Sequence, residues 1–141
     1  MEQRVSFITL GVAELERSKN FYCALGWKTA NENDDGIVVY NLQQMAIALY
    51  QVDNLAKDAQ VDMQREAYPK FTLAYNVESE NEVETILLDA QKAGAQIIKS
   101  AQKVFWGGYS GYFADPDNFL WEVAYNPYAK LGDNGEFQWG N

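Results

Sequence analysis

Glu122 stands in a short apolar run, Phe119-Leu120-Trp121-Glu122-Val123-Ala124-Tyr125, where an isolated carboxylate is unusual. Just upstream, Phe105-Trp106-Gly107-Gly108-Tyr109-Ser110-Gly111-Tyr112-Phe113 interleaves aromatic rings with glycines. A carboxylate among apolar groups can anchor a ligand amine or act as a general acid or base. Rings beside it can stack on a planar or cationic group, and glycine lets the backbone come close to whatever lies there. Glu122 is therefore the catalytic candidate, and Trp106, Tyr109, Tyr112 and Trp121 join it as candidate ligand-binding residues, with Tyr50 a weaker one of the same kind. The competing assignment is plain: strand aromatics usually pack a core, and Glu122 could simply pair with a local tyrosine or backbone N–H. By strand alternation Leu120, Glu122 and Ala124 share one face, and Trp121, Val123 and Tyr125 the other.

What else the chain can do is narrowed by what it lacks. Its 141 residues contain no histidine, which removes Ser-His-Asp catalysis, histidine bases and histidine-ligated metals together. The single cysteine, Cys23, cannot form an internal disulfide and is expected to be a buried, inert thiol in a helix. A net charge of −9 argues against nucleic acid and anionic membrane as partners and suits a neutral or cationic small molecule, although it also serves solubility. No apolar run approaches the roughly 20 residues of a membrane span, and Met1-Glu2-Gln3-Arg4 does not open a signal peptide. The expectation is a cytoplasmic protein.

The elements that must position these residues occur twice. Arg4–Leu10 reads as a strand, Glu14–Leu25 as a helix stopped by Gly26, Trp27–Ala30 as a short strand, and Ile37–Leu42 and Met45–Tyr50 as two more. Asp53–Pro69 is a polar linker with a short helix around Leu55–Met63. The order then recurs. Phe71–Val77 is a strand, and Ser79 with Glu82 forms a capping box. The helix behind it carries a buried stripe of Val83, Ile86, Leu87 and Ala90, and Gly94 ends it. Ala95–Ile98, Tyr109–Ala114 and Phe119–Tyr125 follow as strands, the last two joined by Asp115-Pro116-Asp117-Asn118, a type I turn with Asn118 at positive φ. The fold class is α+β: two β-α-β-β-β repeats forming a curved mixed sheet around a cleft. The expected organisation is one domain over residues 1–141. Repeat one covers about 4–51, the linker about 52–69, repeat two about 70–127 and a C-terminal tail 128–141. Phe137 and Trp139 in that tail are expected to dock on the same domain or on a partner subunit.

The repeated plan resembles the vicinal oxygen chelate superfamily of glyoxalases, bleomycin-resistance proteins and extradiol dioxygenases. Leu10-Gly11-Val12-Ala13-Glu14-Leu15-Glu16-Arg17-Ser18, Phe21-Tyr22, Leu25-Gly26-Trp27, Tyr112-Phe113-Ala114-Asp115-Pro116-Asp117-Asn118 and Leu120-Trp121-Glu122-Val123 carry the resemblance, from residue 4 to about 127. In metal-using members it implies one ligand from the first and last strand of each half. Aligning the halves places those positions at Phe7, Ala48, Thr72 and Glu122. Only Glu122 suits a metal, so the resemblance points to the metal-free branch, with no metal and no cofactor, and adds Phe7 and Thr72 to the ligand-binding set. It also implies a homodimer. The leading expectation is a small-molecule binding protein taking an aromatic or cationic compound. The alternatives are a lyase or isomerase using Glu122 as acid–base, and a non-catalytic association module.

Overall fold

A computed structural model of the chain describes residues 3, 7–31, 36–60, 63, 69 and 71–137. Backbone contacts divide it into two compact units, Met1–Glu66 and Ala67–Asn141, so the boundary falls in the segment expected to be the linker.

The first unit orders as β1 (Phe7–Val12), α1 (Leu15–Ala24), β2 (Ile37–Asn41), β3 (Ala46–Gln51) and α2 (Val52–Ala59). Its sheet runs β1-β3-β2, with β1 parallel and β2 antiparallel to β3. α1 buries Ser18, Phe21 and Tyr22. Tyr22 meets Tyr40 of β2 at 5.9 Å between ring centroids, and Trp27 meets the same ring edge-on at 5.3 Å. The end of α1 explains why Trp27 is there. Gly26 takes a left-handed φ of 92°, its N–H donates to the Cys23 carbonyl and the Trp27 N–H donates to the Tyr22 carbonyl, which is the Schellman arrangement. The tryptophan is thereby folded back over the aromatic cluster.

The expected strand at Trp27–Ala30 does not form. A backbone bond from Ala30 N–H to the Val39 carbonyl at 2.7 Å links this segment to β2. Beyond it the Asn31 side chain takes over the ladder's role, donating to the Ile37 carbonyl at 2.7 Å and accepting from the Val39 N–H at 2.9 Å. An amide side chain has satisfied the backbone groups that a strand would have used. Cys23 also departs from expectation. The turn of α1 that buries Phe21 and Tyr22 carries Cys23 outward, where it is exposed. The linker helix forms earlier than expected, at Val52–Ala59, because Val52 and Leu55 pack against Gly11 of β1. The remainder of the linker lies mostly outside the described residues.

The second unit orders as β4 (Thr72–Val77), α3 (Glu80–Ala93), β5 (Gln96–Lys103), β6 (Tyr109–Ala114) and β7 (Leu120–Tyr125). The sheet runs β4-β7-β6-β5, with β4 parallel to β7 and the other pairs antiparallel. Each unit is thus a mixed α+β layer, and the second realises the full β-α-β-β-β order.

α3 begins as its sequence requires. Ser79 Oγ accepts from the Glu82 N–H at 3.2 Å, and Glu82 Oε2 accepts from the Glu78 N–H at 2.8 Å, so the reciprocal bond of the capping box reaches one residue further back. Val83, Leu87 and Ala90 are buried, Ile86 is half-buried, and Gly94 closes the helix. Ser79→Ala is expected to lower the unfolding free energy by about 1 kcal/mol. Urea denaturation measures it, and an unchanged midpoint would show that the cap does not hold the helix.

Candidate functional site

Register decides which side chains share a face of the second sheet. Glu122 pairs with Tyr112 of β6 and with Ala74 of β4, and Ala124 pairs with Ser110 and Asn76. These residues point away from α3. The opposite face carries Gly111, Phe113, Trp121 and Val123, and α3 covers it: a Cβ built on Gly111 would meet Leu87 Cδ1 at 2.6 Å.

Alternation therefore separates the candidates. Trp121 is 8% exposed and stacks on Phe113, with ring planes 8° apart and centroids at 6.2 Å. Tyr109 reaches the helix as well, its hydroxyl donating to Glu84 of α3. Both sit on the helix side, away from Glu122. Tyr112 lies beside Glu122. Its hydroxyl is held above its usual range, first by burial, then by the nearby Glu122 charge and by a hydrogen bond to the Glu122 side chain. At neutral pH it stays protonated and donates to that carboxylate.

Over Glu122 the second unit forms a cavity of about 700 Å³, lined by Ala74, Asn76, Trp106, Glu122, Ala124, Asn126, Tyr128 and Phe137. Glu122 is the one carboxylate among the described residues of this lining, and Ala74 on β4 and Ala124 on its own strand leave the space above it open. The aromatic walls depend on two glycines in the turn between β5 and β6. Gly107 has φ of 93°, and a Cβ there would lie 2.7 Å from the Tyr128 hydroxyl oxygen. A Cβ on Gly108 would overlap the six-membered ring of Trp106. The Trp106 indole thus rests directly on the Gly108 backbone. Gly108→Ala is expected to dislodge it, shifting the Trp emission maximum and its accessibility to acrylamide. A variant with the wild-type spectrum and quenching would show that the indole needs no such seat.

Of the residues chosen from sequence, the structure brings Trp106 and Glu122 into the cavity lining and sets Tyr112 against Glu122. Thr72 lies on the same face as Glu122, exposed at the start of β4 and opposite Leu120. Phe7 and Tyr50 belong to the first unit. They share one face of its sheet, at opposite ends of the β1–β3 ladder, with Phe7 opposite Ala46 and Tyr50 opposite Gly11. Sequence reasoning missed Asn76, Asn126 and Tyr128. The Asn126-Pro127-Tyr128 turn signal was available, since the Asn126 Oδ1 accepts from the Tyr128 N–H at 2.9 Å. Phe137 lines the cavity, so the tail docks it on its own unit; Trp139 lies outside the described residues.

The metal that the resemblance implies can be tested against the donor set. The ladders support the alignment of the halves: Phe7 pairs with Ala46 as Thr72 pairs with Leu120, which puts Ala48 in correspondence with Glu122. Phe7 and Ala48 carry no side-chain donor atom, Thr72 offers a neutral hydroxyl, and only Glu122 is a carboxylate. Oxygen-ligated cations need several such groups, so these four positions do not fit a metal. Among the described residues no three His, Cys, Asp or Glu side chains come together as a metal-holding group, and no helix is long and apolar enough to cross a membrane.

Comparison with known proteins accords with this architecture. A crystal structure of a glyoxalase-related enzyme from Fulvimarina pelagi is 34% identical, covers 99% of this chain and 100% of its own, and superposes with a TM-score of 0.92. A hypothetical protein from S. aureus is 25% identical over 89% of this chain and 95% of its own, with a TM-score of 0.76. Lactoylglutathione lyase from Agrobacterium tumefaciens shares the fold, with a TM-score of 0.66 at 14% identity over 89% of this chain and 95% of its own. No curated protein sequence matches. The model of the Glyoxalase/Bleomycin resistance protein/Dioxygenase superfamily matches residues 4–123, and the chain belongs to that superfamily.

Proposed function

We propose that the chain is a metal-independent binding protein that holds an aromatic or cationic small molecule in the Glu122 cavity. The observation that carries this reading is the lining itself: one carboxylate, two carboxamides, and three aromatic side chains around small residues. A carboxylate attracts a cation, the rings offer it stacking and cation–π contact, and the volume falls within the roughly 300–1,000 Å³ of small-molecule sites. The net charge of −9 adds long-range attraction for the same ligand class.

Proflavine, a planar aromatic cation, is a direct probe. It should quench Trp emission saturably, and Glu122→Gln should weaken it by about tenfold, the loss expected when a charge-assisted contact becomes a neutral one. Chelator treatment should leave the affinity unchanged. Equal binding by Glu122→Gln, or loss of binding on chelation, would defeat the reading.

A second reading rests on the Tyr112–Glu122 hydrogen bond, which pairs a proton donor with a carboxylate beside the cavity. That pair suits a lyase or isomerase working by acid–base transfer without metal. Under it, Tyr112→Phe abolishes turnover of a substrate while proflavine affinity stays within about twofold, whereas pure binding gives no turnover to lose. The homodimer remains part of the proposal on the strength of the superfamily resemblance, and a cytoplasmic location is proposed beside it; sedimentation of the purified chain tests the first.

A further inference from the structure

A second, smaller cavity of about 450 Å³ opens in the same unit, beyond the C-terminal ends of β4 and β7. Val77, Glu78 and Tyr125 meet the segment from Asn126 to Leu131 there. One feature sets it apart from the Glu122 cavity. Its lining carries one acid and one base, Glu78 and Lys130, both exposed, where the first carries a carboxylate alone. It also shares Asn126 and Tyr128 with the first cavity, so the two adjoin along these residues.

The shared asparagine is oriented. Its Oδ1 is taken up by the Tyr128 N–H at 2.9 Å, which leaves the Nδ2 group as the side of the amide that can donate to a ligand. The Tyr128 ring lies close over Gly107 on the other side. Between an aromatic, anionic chamber and a charge-balanced polar one there is thus a hydrogen-bond donor at the junction.

From this adjacency we infer that the natural ligand is bipartite. Its aromatic body lies in the Glu122 cavity, and a zwitterionic, amino-acid-type end occupies the second cavity, with its carboxylate toward Lys130 and its ammonium toward Glu78. A purely anionic end would face Glu78, and a purely cationic end would face Lys130, so only an end carrying both charges is complementary to both residues. The inference rests on the reading of the Glu122 cavity as a binding site and specifies what else the ligand must carry.

Three dansyl probes separate the parts: dansyl-lysine, with an amino-acid end; dansyl-cadaverine, with an ammonium end alone; and dansyl-propylamide, with neither. Energy transfer from Trp to the dansyl group reports binding. Two exposed charge contacts predict that dansyl-lysine binds about fivefold more tightly than either analogue. Lys130→Gln and Glu78→Gln should each remove most of that advantage, leaving proflavine affinity and dansyl-propylamide affinity unchanged. Equal affinity for all three probes, with proflavine still binding in a Glu122-dependent way, would overturn the bipartite ligand and leave the first cavity standing. Failure of proflavine, with the dansyl-lysine preference intact and sensitive to Lys130, would instead overturn the cationic reading of Glu122 and keep the second cavity. An advantage for dansyl-lysine that survives both substitutions would place its charged end elsewhere and reject the site.

Discussion

Gly111→Ala is expected to lower the unfolding free energy by about 1–3 kcal/mol, the range for overpacking a filled interior. The added methyl would stand 2.6 Å from Leu87 Cδ1, 2.8 Å from the Lys99 carbonyl oxygen and 3.0 Å from the Ala101 nitrogen. Leu87 is 5% exposed and has little room to turn aside. The other two neighbours are backbone atoms of β5, in the stretch where its register against β6 shifts between Lys99 and Gln102. The irregularity of β5 brings its main chain close to Gly111, and relief would require moving the helix or the strand. Gly11→Ala in the first unit is the natural control. The nearest neighbours of its methyl would be the Leu55 and Val52 side chains, both at 3.3 Å, and α2 can yield by a few tenths of an ångström. Denaturant midpoints of the two variants test the contrast. Equal and small losses would show that α3 and β5 are less firmly placed than their packing implies.

Asp115→Ala should cost about 3 kcal/mol, because one buried carboxylate oxygen organises the whole β6–β7 turn. Asp115 is 3% exposed, and its Oδ1 accepts from the Asp117 N–H and the Phe119 N–H, both at 2.9 Å. The Asp115 carbonyl accepts from the Asn118 N–H, and its own N–H donates to the Phe119 carbonyl. Asn118 sits at φ of 66° between them. Removing the carboxylate leaves the buried Phe119 N–H without this acceptor. Asp115→Asn keeps an oxygen in place and should lose about half as much. The site feels the change too. This turn sets Glu122 opposite Tyr112, and a one-residue slip would carry Glu122 to the helix side. Proflavine affinity should therefore fall in Asp115→Ala even at temperatures where the chain is folded. Full stability in Asp115→Ala would mean that Pro116 and Asn118 fix the turn unaided.

These two positions show what could be read from the residues and what could not. Asp115-Pro116-Asp117-Asn118 has turn chemistry written in four consecutive side chains, and the turn forms as its sequence requires. The same holds for the start of α3 at Ser79 and the stop of α1 at Gly26, where local hydrogen bonds between near neighbours decide the geometry. Strand alternation split Glu122 from Trp121 correctly. What no local pattern could tell was which face α3 would cover, and that alone decides that Trp121 and Tyr109 pack toward the helix while Glu122 lies below a cavity. The missing strand at Trp27–Ala30 failed for a related reason. Its residues can extend, but Asn31, further along, supplies the hydrogen bonds that the strand would have made. The cavity's outer wall was hidden for a third reason. Tyr128 and Phe137 reach it through turns and a tail without periodicity, so nothing in their spacing announces a shared destination.

The lining has a consequence for how such a site diverges. The superfamily match ends at residue 123, yet Ala124, Asn126, Tyr128 and Phe137, half of the cavity's wall, come after it. The floor belongs to the common scaffold, whose strands are constrained by pairing and by the helix beneath them. Asn126, Tyr128 and Phe137 belong to the segment after β7, which carries turns of its own: Gly132 donates to the Glu136 carbonyl, and the Glu136 carboxylate accepts from Asn134. Substitutions, insertions or deletions in that segment can reshape what the cavity admits while the core's folding stays as it was. If the cavity binds a ligand as proposed, its preference is separable from fold stability, and two relatives with superposable sheets can differ in what they hold.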